Sequence, residues 1–190
     1  VAMMAARNQA LPGVNVKEEG LPDNSLVMFV SDQSHYSYGK DANILGLGTD
    51  NLITVKSDEH GRMIPAELEK AIVQAKAQHK KPFFIGLTAG TTVYGAFDPI
   101  EAIHPIAKKH QLWLHVDGAW GGAVLLSNKH RHLIKGIEHA DSFAWDMHKA
   151  AGVSIIASFV VFKKQGTLLQ TNSGGGSAYI FHKYDNAYYD

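Results

Sequence analysis

The sequence predicts an α/β protein with a largely parallel sheet, and two observations carry that expectation. Short apolar runs of strand length, rich in β-branched and aromatic residues, recur along the chain. Between them lie stretches with helical spacing, so the order alternates strand and helix as crossover connections require. Residues 1–10 (VAMMAARNQA) read as the latter part of an apolar helix. Ser25–Ser31 (SLVMFVS) is a continuous apolar run, the pattern of a strand covered on both faces. Tyr36–Leu47 reads as a helix closed by the glycines of GLG, and Leu52–Lys56 as a second strand. Pro65 stands where a helix begins, with Leu68, Ile72 and Ala75 on one face. Pro82–Leu87 (PFFIGL) is a strand running into the turn-rich TAGTTVYG, and Pro99–His110 a helix with Ile100, Ile103 and Ala107 on one side. Leu112–Val116 is a strand ending at Asp117; Ser142–Trp145 and Ile155–Phe162 are further strands. SGGGS at 173–177 reads as a surface loop.

Composition narrows the function classes. The 190 residues are 45% hydrophobic and 19% charged, enough apolar material for a core. Eighteen basic and eighteen acidic residues cancel, which argues against a nucleic-acid binder relying on a global basic field. The absence of cysteine removes disulfides, thiol catalysis and cysteine-based metal sites. No apolar run approaches the roughly 20 residues of a membrane helix, and the start lacks the pattern of a signal peptide. A cytoplasmic setting is the default expectation. Both ends look internal: Val1 is not an initiator, and the chain stops among aromatics at AYIFHKYDNAYYD. The expectation is a segment of a longer protein.

Ligands of open α/β sheets collect at the carboxyl ends of the strands. There this sequence places Ser34 and His35 after the first strand, Thr88 after PFFIGL, Asp117 after LWLHV, and His148 with Lys149 after FAWDM. An acid, two histidines and a lysine on one rim suit a reactive site, although a metal site or a simple hydrolase also uses such residues. Among the 11 histidines, His115-x-Asp117 and His130-x-His132 have ligand-like spacing. NKHRHLIKG looks helical, however, and residues two apart on a helix diverge. No G-x-S-x-G elbow is present, and GLGTD at 46–50 does not match a dinucleotide or P-loop fingerprint. No metal is expected.

HVDGAWGG and ADSFAWDMHK, with SDQSHYSYGKDANILGLG, TAGTTVYGAFDPI and AYIFHKYDN, resemble the group II pyridoxal-phosphate-dependent amino-acid decarboxylases. The resemblance covers essentially the whole chain, with the blocks in the expected order. It implies the aspartate aminotransferase-like fold, a three-layer α/β domain, with residues 1–190 forming most of the cofactor-binding large domain. It also implies a Schiff-base role for Lys149, whose amine must be unprotonated to attack and whose stem the apolar FAWDM and AAGVSII would bury. Asp117 would pair with the pyridine nitrogen and keep the ring cationic, and His35 would stack on the ring and aid proton transfer. Thr88 would lie near the ring and His148 near the phosphate. Ala119, beside Gly118, would let the flat ring approach the backbone. The family more often has alanine at position 118, so glycine there should loosen the backbone slightly.

Trp120 and AVLLSNKHRHLIKGI point to the glutamate, aspartate and cysteine-sulfinate branch, so the implied reaction is α-decarboxylation of an acidic amino acid. The resemblance further implies a homodimer with its active site at the interface, with no nucleic acid and no membrane as partner. Two other readings stay open: a fold-related lyase or aminotransferase, and a truncated copy that folds without turning over.

Overall fold

The computed structural model describes residues 1–173, so AYIFHKYDN and all of SGGGS but Ser173 lie outside the described residues. Six strands form one sheet in the order β2-β1-β3-β4-β5-β6: β1 (Leu26–Ser31), β2 (Leu52–Val55), β3 (Lys81–Thr88), β4 (Trp113–Asp117), β5 (Ser142–Asp146) and β6 (Ser158–Phe162). The first five run parallel, and β6 pairs antiparallel with β5. Helices α1 (Ala2–Ala10), α2 (Val16–Glu19), α3 (Ser37–Ile44), α4 (Pro65–Ala77), α5 (Ile100–His110) and α6 (Thr167–Asn172) complete the chain.

Period-two alternation in buried strands creates two cores. On one face, Val27, Phe29, Ile85, Leu87, Leu114 and Val116 pack against Leu68, Ile72 and Ala75 of α4 and Ile100, Ile103 and Ala107 of α5. On the other, Met28, Val30, Phe84 and Trp113 meet Met3, Ala5 and Ala6 of α1 and Tyr38 and Ala42 of α3. The result is the three-layer arrangement. The Pro65 signal holds, since proline supplies a preset φ at a position whose N–H has no helical acceptor.

Three expectations are corrected. The α3 helix is shorter than Tyr36–Leu47. NKHRHLIKG holds a single four-residue 3-10 turn, Arg131–Ile134, rather than a helix. Residues Ile155–Ala157 stay outside β6, where Ile155 and Ile156 are exposed. No helix among the described residues is long and apolar enough to cross a membrane.

The chain leaves β1 toward β2 on one side and β3 toward β4 on the other. The reversal of strand order therefore falls between β1 and β3, and the carboxyl ends of the strands there are where open sheets of this kind bind ligands.

Candidate active site

Ser34, His35, Thr88, Asp117, His148 and Lys149 lie at or just beyond the carboxyl ends of their strands. In register, Thr88 is beside Asp117, and Asp117 beside Ala144. Thr88 and Asp117 follow Gly86 and His115 by two residues, so all four share the sheet face covered by α3. The loops beyond are cross-tied by backbone: Ala89 N–H donates to Asp117 O (2.8 Å), Gly118 N–H to Ala144 O (2.9 Å) and Gly121 N–H to Ala89 O (2.9 Å).

Asp117 is partly buried, and burial pushes its pKa up. The Ala119 N–H, donating to Oδ1 at 3.0 Å, opposes that rise, as do the nearby Lys149 and His35 side chains. The acid, the lysine and the histidine are thus electrostatic neighbours although they come from three separate strands. Ala119 itself acts here through its backbone.

Lys149 is not buried as the sequence suggested. Its side chain is 41% exposed, because residues 150–156 run over the surface instead of folding back over the stem. Its ammonium is paired with Asp146 at 2.8 Å, three residues earlier. Burial raises the Asp146 pKa, but hydrogen bonds from Lys149 and from Ser158 Oγ (2.7 Å) outweigh this and hold it below the usual carboxylate range. Sequence reasoning missed Asp146, because the turn that folds Lys149 back onto it, with Lys149 N–H donating to Asp146 O, is not marked by residue type.

His148 is partly buried and faces Ala157, whose N–H donates to His148 Nδ1 at 3.3 Å. It thereby ties the lysine-bearing turn to the approach of β6. His35 is exposed, with Nδ1 held by Ser37. Thr88 is buried, and its Oγ1 finds no hydrogen-bond partner among the described residues. Leaving a buried hydroxyl unpaired costs about 1–3 kcal/mol, so this rim hydroxyl is suited to meet a bound polar group.

A second missed residue supports Thr88 from below. Asp98 is 3% exposed and accepts from Thr88 N–H (2.7 Å) and Met63 N–H (2.6 Å). Burial lifts its pKa to about 6 despite those two donors. In the sequence it stands just before Pro99, and nothing in its spacing marks it as a buried acceptor.

The glycines of GAWGG serve packing rather than opening space for a ligand. A Cβ on Gly118 would lie 2.4 Å from the Phe143 ring, and one on Gly122 2.6 Å from Trp145. Gly118 therefore seats Phe143 tightly, a correction to the expected loosening. His115 is buried in the sheet, with Nδ1 2.8 Å from Ser142 Oγ. His130 and His132 are exposed. Among the described residues no three His, Asp or Glu side chains are grouped to hold a metal ion.

The family model described as "Pyridoxal-dependent decarboxylase conserved domain" matches residues 1–190. Cysteine sulfinic acid decarboxylase of Mus musculus is 45% identical over 190 residues, covering 100% of this chain and 38% of its own length. Glutamate decarboxylase of Drosophila melanogaster is 47% identical, covering 98% of this chain and 37% of its own length. The crystal structure of mouse CSAD superposes with a TM-score of 0.87 at 47% identity, over 92% of this chain and 37% of that one. The glutamate decarboxylase domain of a Vibrio parahaemolyticus diaminobutyrate-pyruvate transaminase and L-2,4-diaminobutyrate decarboxylase gives 0.85 at 37% identity, over 88% of this chain and 38% of that one. The chain thus spans well under half the length of the relatives it matches.

Proposed function

Because the chain belongs to the pyridoxal-dependent decarboxylase family, we propose that the protein containing it removes the α-carboxylate of an acidic amino acid as CO2. Residues 1–190 are then most of its cofactor-binding large domain. The observation that carries this reading is the convergence of Asp117, Lys149, His35 and the unpaired Thr88 hydroxyl at one end of the sheet.

These residues fit pyridoxal phosphate. Bound there, the cofactor supplies an electron sink for the pair left on Cα when CO2 departs. Lys149 would hold it covalently through Nζ. Before it can bond to an aldehyde carbon, Lys149 must leave Asp146 and give up a proton. Asp117 would pair with the ring nitrogen; its partial burial strengthens a charge-assisted bond that water would weaken. His35 would lie against the ring and handle a proton, Thr88 would offer its unpaired hydroxyl to the bound group, and Ala119 and His148 would line the ring and phosphate.

An acidic substrate is supported by the names of the relatives at 45–47% identity, a cysteine sulfinic acid and a glutamate decarboxylase. We take the working unit to be a homodimer in the cytoplasm. The exposure of Tyr36, Val93, Tyr94 and Trp120 near the carboxyl edge leaves surface for a second copy and for segments beyond this chain to cover.

The test is borohydride trapping in the full-length protein with pyridoxal phosphate, followed by peptide mass analysis. The expected result is an adduct on Lys149, absent in Lys149→Ala, with CO2 rather than an α-keto acid released from glutamate, aspartate or cysteine sulfinate. An adduct that survives Lys149→Ala removes the lysine assignment, and α-keto acid as the main product turns the reading toward an aminotransferase.

A further inference from the structure

We propose that Ser37 is a positioning residue that decides which nitrogen of His35 carries its hydrogen. The inference rests on reading the carboxyl edge as the active site, and it adds a residue to that site. Ser37 opens α3. Its backbone N–H points at His35 Nδ1 from 3.3 Å, and its Oγ lies 2.9 Å from the same nitrogen.

A backbone N–H can only donate, so Nδ1 meets it with a lone pair and bears no hydrogen. The Ser37 hydroxyl must then donate as well, because an accepting ring nitrogen has nothing to give. Two donors on one nitrogen leave the neutral imidazole a single arrangement, with its hydrogen on Nε2. Tyr36 braces the ring, the centroids 4.3 Å apart at 45°, and the Lys40 ammonium sits 4.5 Å from the Tyr36 ring centroid. Nδ1 is thus committed to the start of its own helix. Nε2–H makes no hydrogen bond among the described residues and is the edge of the ring left to act.

The chemistry this selects is donation. A ring fixed as an Nε2–H donor suits a carboxylate oxygen of the amino acid, whereas the opposite tautomer would present a lone pair and repel it. Ser37 does not touch the substrate in this scheme; it acts through His35 alone. That distinguishes it from Asp98, which supports the backbone of Thr88 and would be felt mainly as stability.

The test uses the full-length protein labelled with [15N]histidine, both cofactor-free and loaded with pyridoxal phosphate. The His35 signals are identified by their loss in His35→Gln. The expected result is a bare Nδ1 and a protonated Nε2 in both states. Ser37→Ala keeps the longer 3.3 Å backbone N–H contact but removes the 2.9 Å hydroxyl; Nδ1 is then held less firmly, the Nδ1–H tautomer becomes detectable, and kcat falls about tenfold, the scale of one hydrogen bond, with KM within about twofold. Ser37→Thr, which keeps the hydroxyl, restores both the nitrogen signature and kcat. A protonated Nδ1 in the unaltered protein overturns the proposal, as does Ser37→Ala with unchanged signals and unchanged kcat. Failure of the decarboxylase reading looks different: no adduct on Lys149 and no CO2, while the cofactor-free spectrum still reports the tautomer.

Discussion

At the scale of single residues, the site depends on charges that the backbone holds in place. Asp117 keeps its carboxylate at the end of β4 through the Ala119 N–H. Replacing Asp117 with Asn keeps the shape and removes the charge. We expect the full-length Asp117→Asn protein to retain bound cofactor by visible absorbance but to release CO2 at least about a hundredfold more slowly, the scale of losing one preorganised electrostatic group. Unchanged turnover would remove the electron-sink role. His35, Thr88, Asp117 and Lys149 were legible because each follows an apolar run, and strand ends are where such folds put chemistry. Asp146, Asp98 and Ser37 were not. Their importance lies in what they hydrogen-bond, two of them through a backbone N–H, and such pairings leave no mark in residue spacing. The surface course of residues 150–156 was hidden for a related reason: apolar residues there look like core until the element that would cover them is known.

At the scale of elements, α3 lies close to β3 because one position lacks a side chain. The Tyr38 ring rests over Gly86, where a Cβ would come within 2.8 Å of its Cε1, Cζ and hydroxyl. Tyr38 is buried, and burial, followed by the negative field of Asp117, pushes its pKa well above that of an exposed phenol. Gly86→Ala is expected to cost about 1–3 kcal/mol in urea unfolding, the usual penalty for overpacking, and Tyr38→Leu in the same protein should recover part of it. Independent, additive losses would show that the two do not share a contact. The continuous apolar runs of β1 and β3 and the proline start of α4 were readable because burial on both faces, or a fixed φ, writes itself into residue type. The 3-10 turn of Arg131–Ile134 was not. The residues of NKHRHLIKG suit a helix, but Ile134 is buried while His130, Arg131, His132 and Leu133 stay exposed, too narrow an apolar anchor to reveal the turn in the sequence.

At the scale of the whole molecule, two buried groups pull its acid stability in opposite directions. Asp98 has a folded pKa of about 6 against an ordinary 3.8, so its contribution is greatest at low pH and is lost as pH rises between those values. Burial lowers the His115 pKa from 6.5 to about 4, so its contribution is absent at low pH and grows as pH rises through that window. Each shift corresponds to about 3 kcal/mol, so the two largely cancel. Urea unfolding at steps from pH 4 to 7 should show Asp98→Asn gaining stability with rising pH relative to the unaltered protein, and His115→Gln losing it. Parallel profiles in all three would refute the opposition. The strand order has a further consequence, for the birth of the molecule. Leu26 in β1 lies beside Lys81 in β3, while β2 and α4 are synthesised between them. The middle of the sheet therefore waits for a distant partner to leave the ribosome, and until then a fully apolar strand stands unclosed. Such non-local closure slows folding and leaves apolar surface exposed until β3 is made.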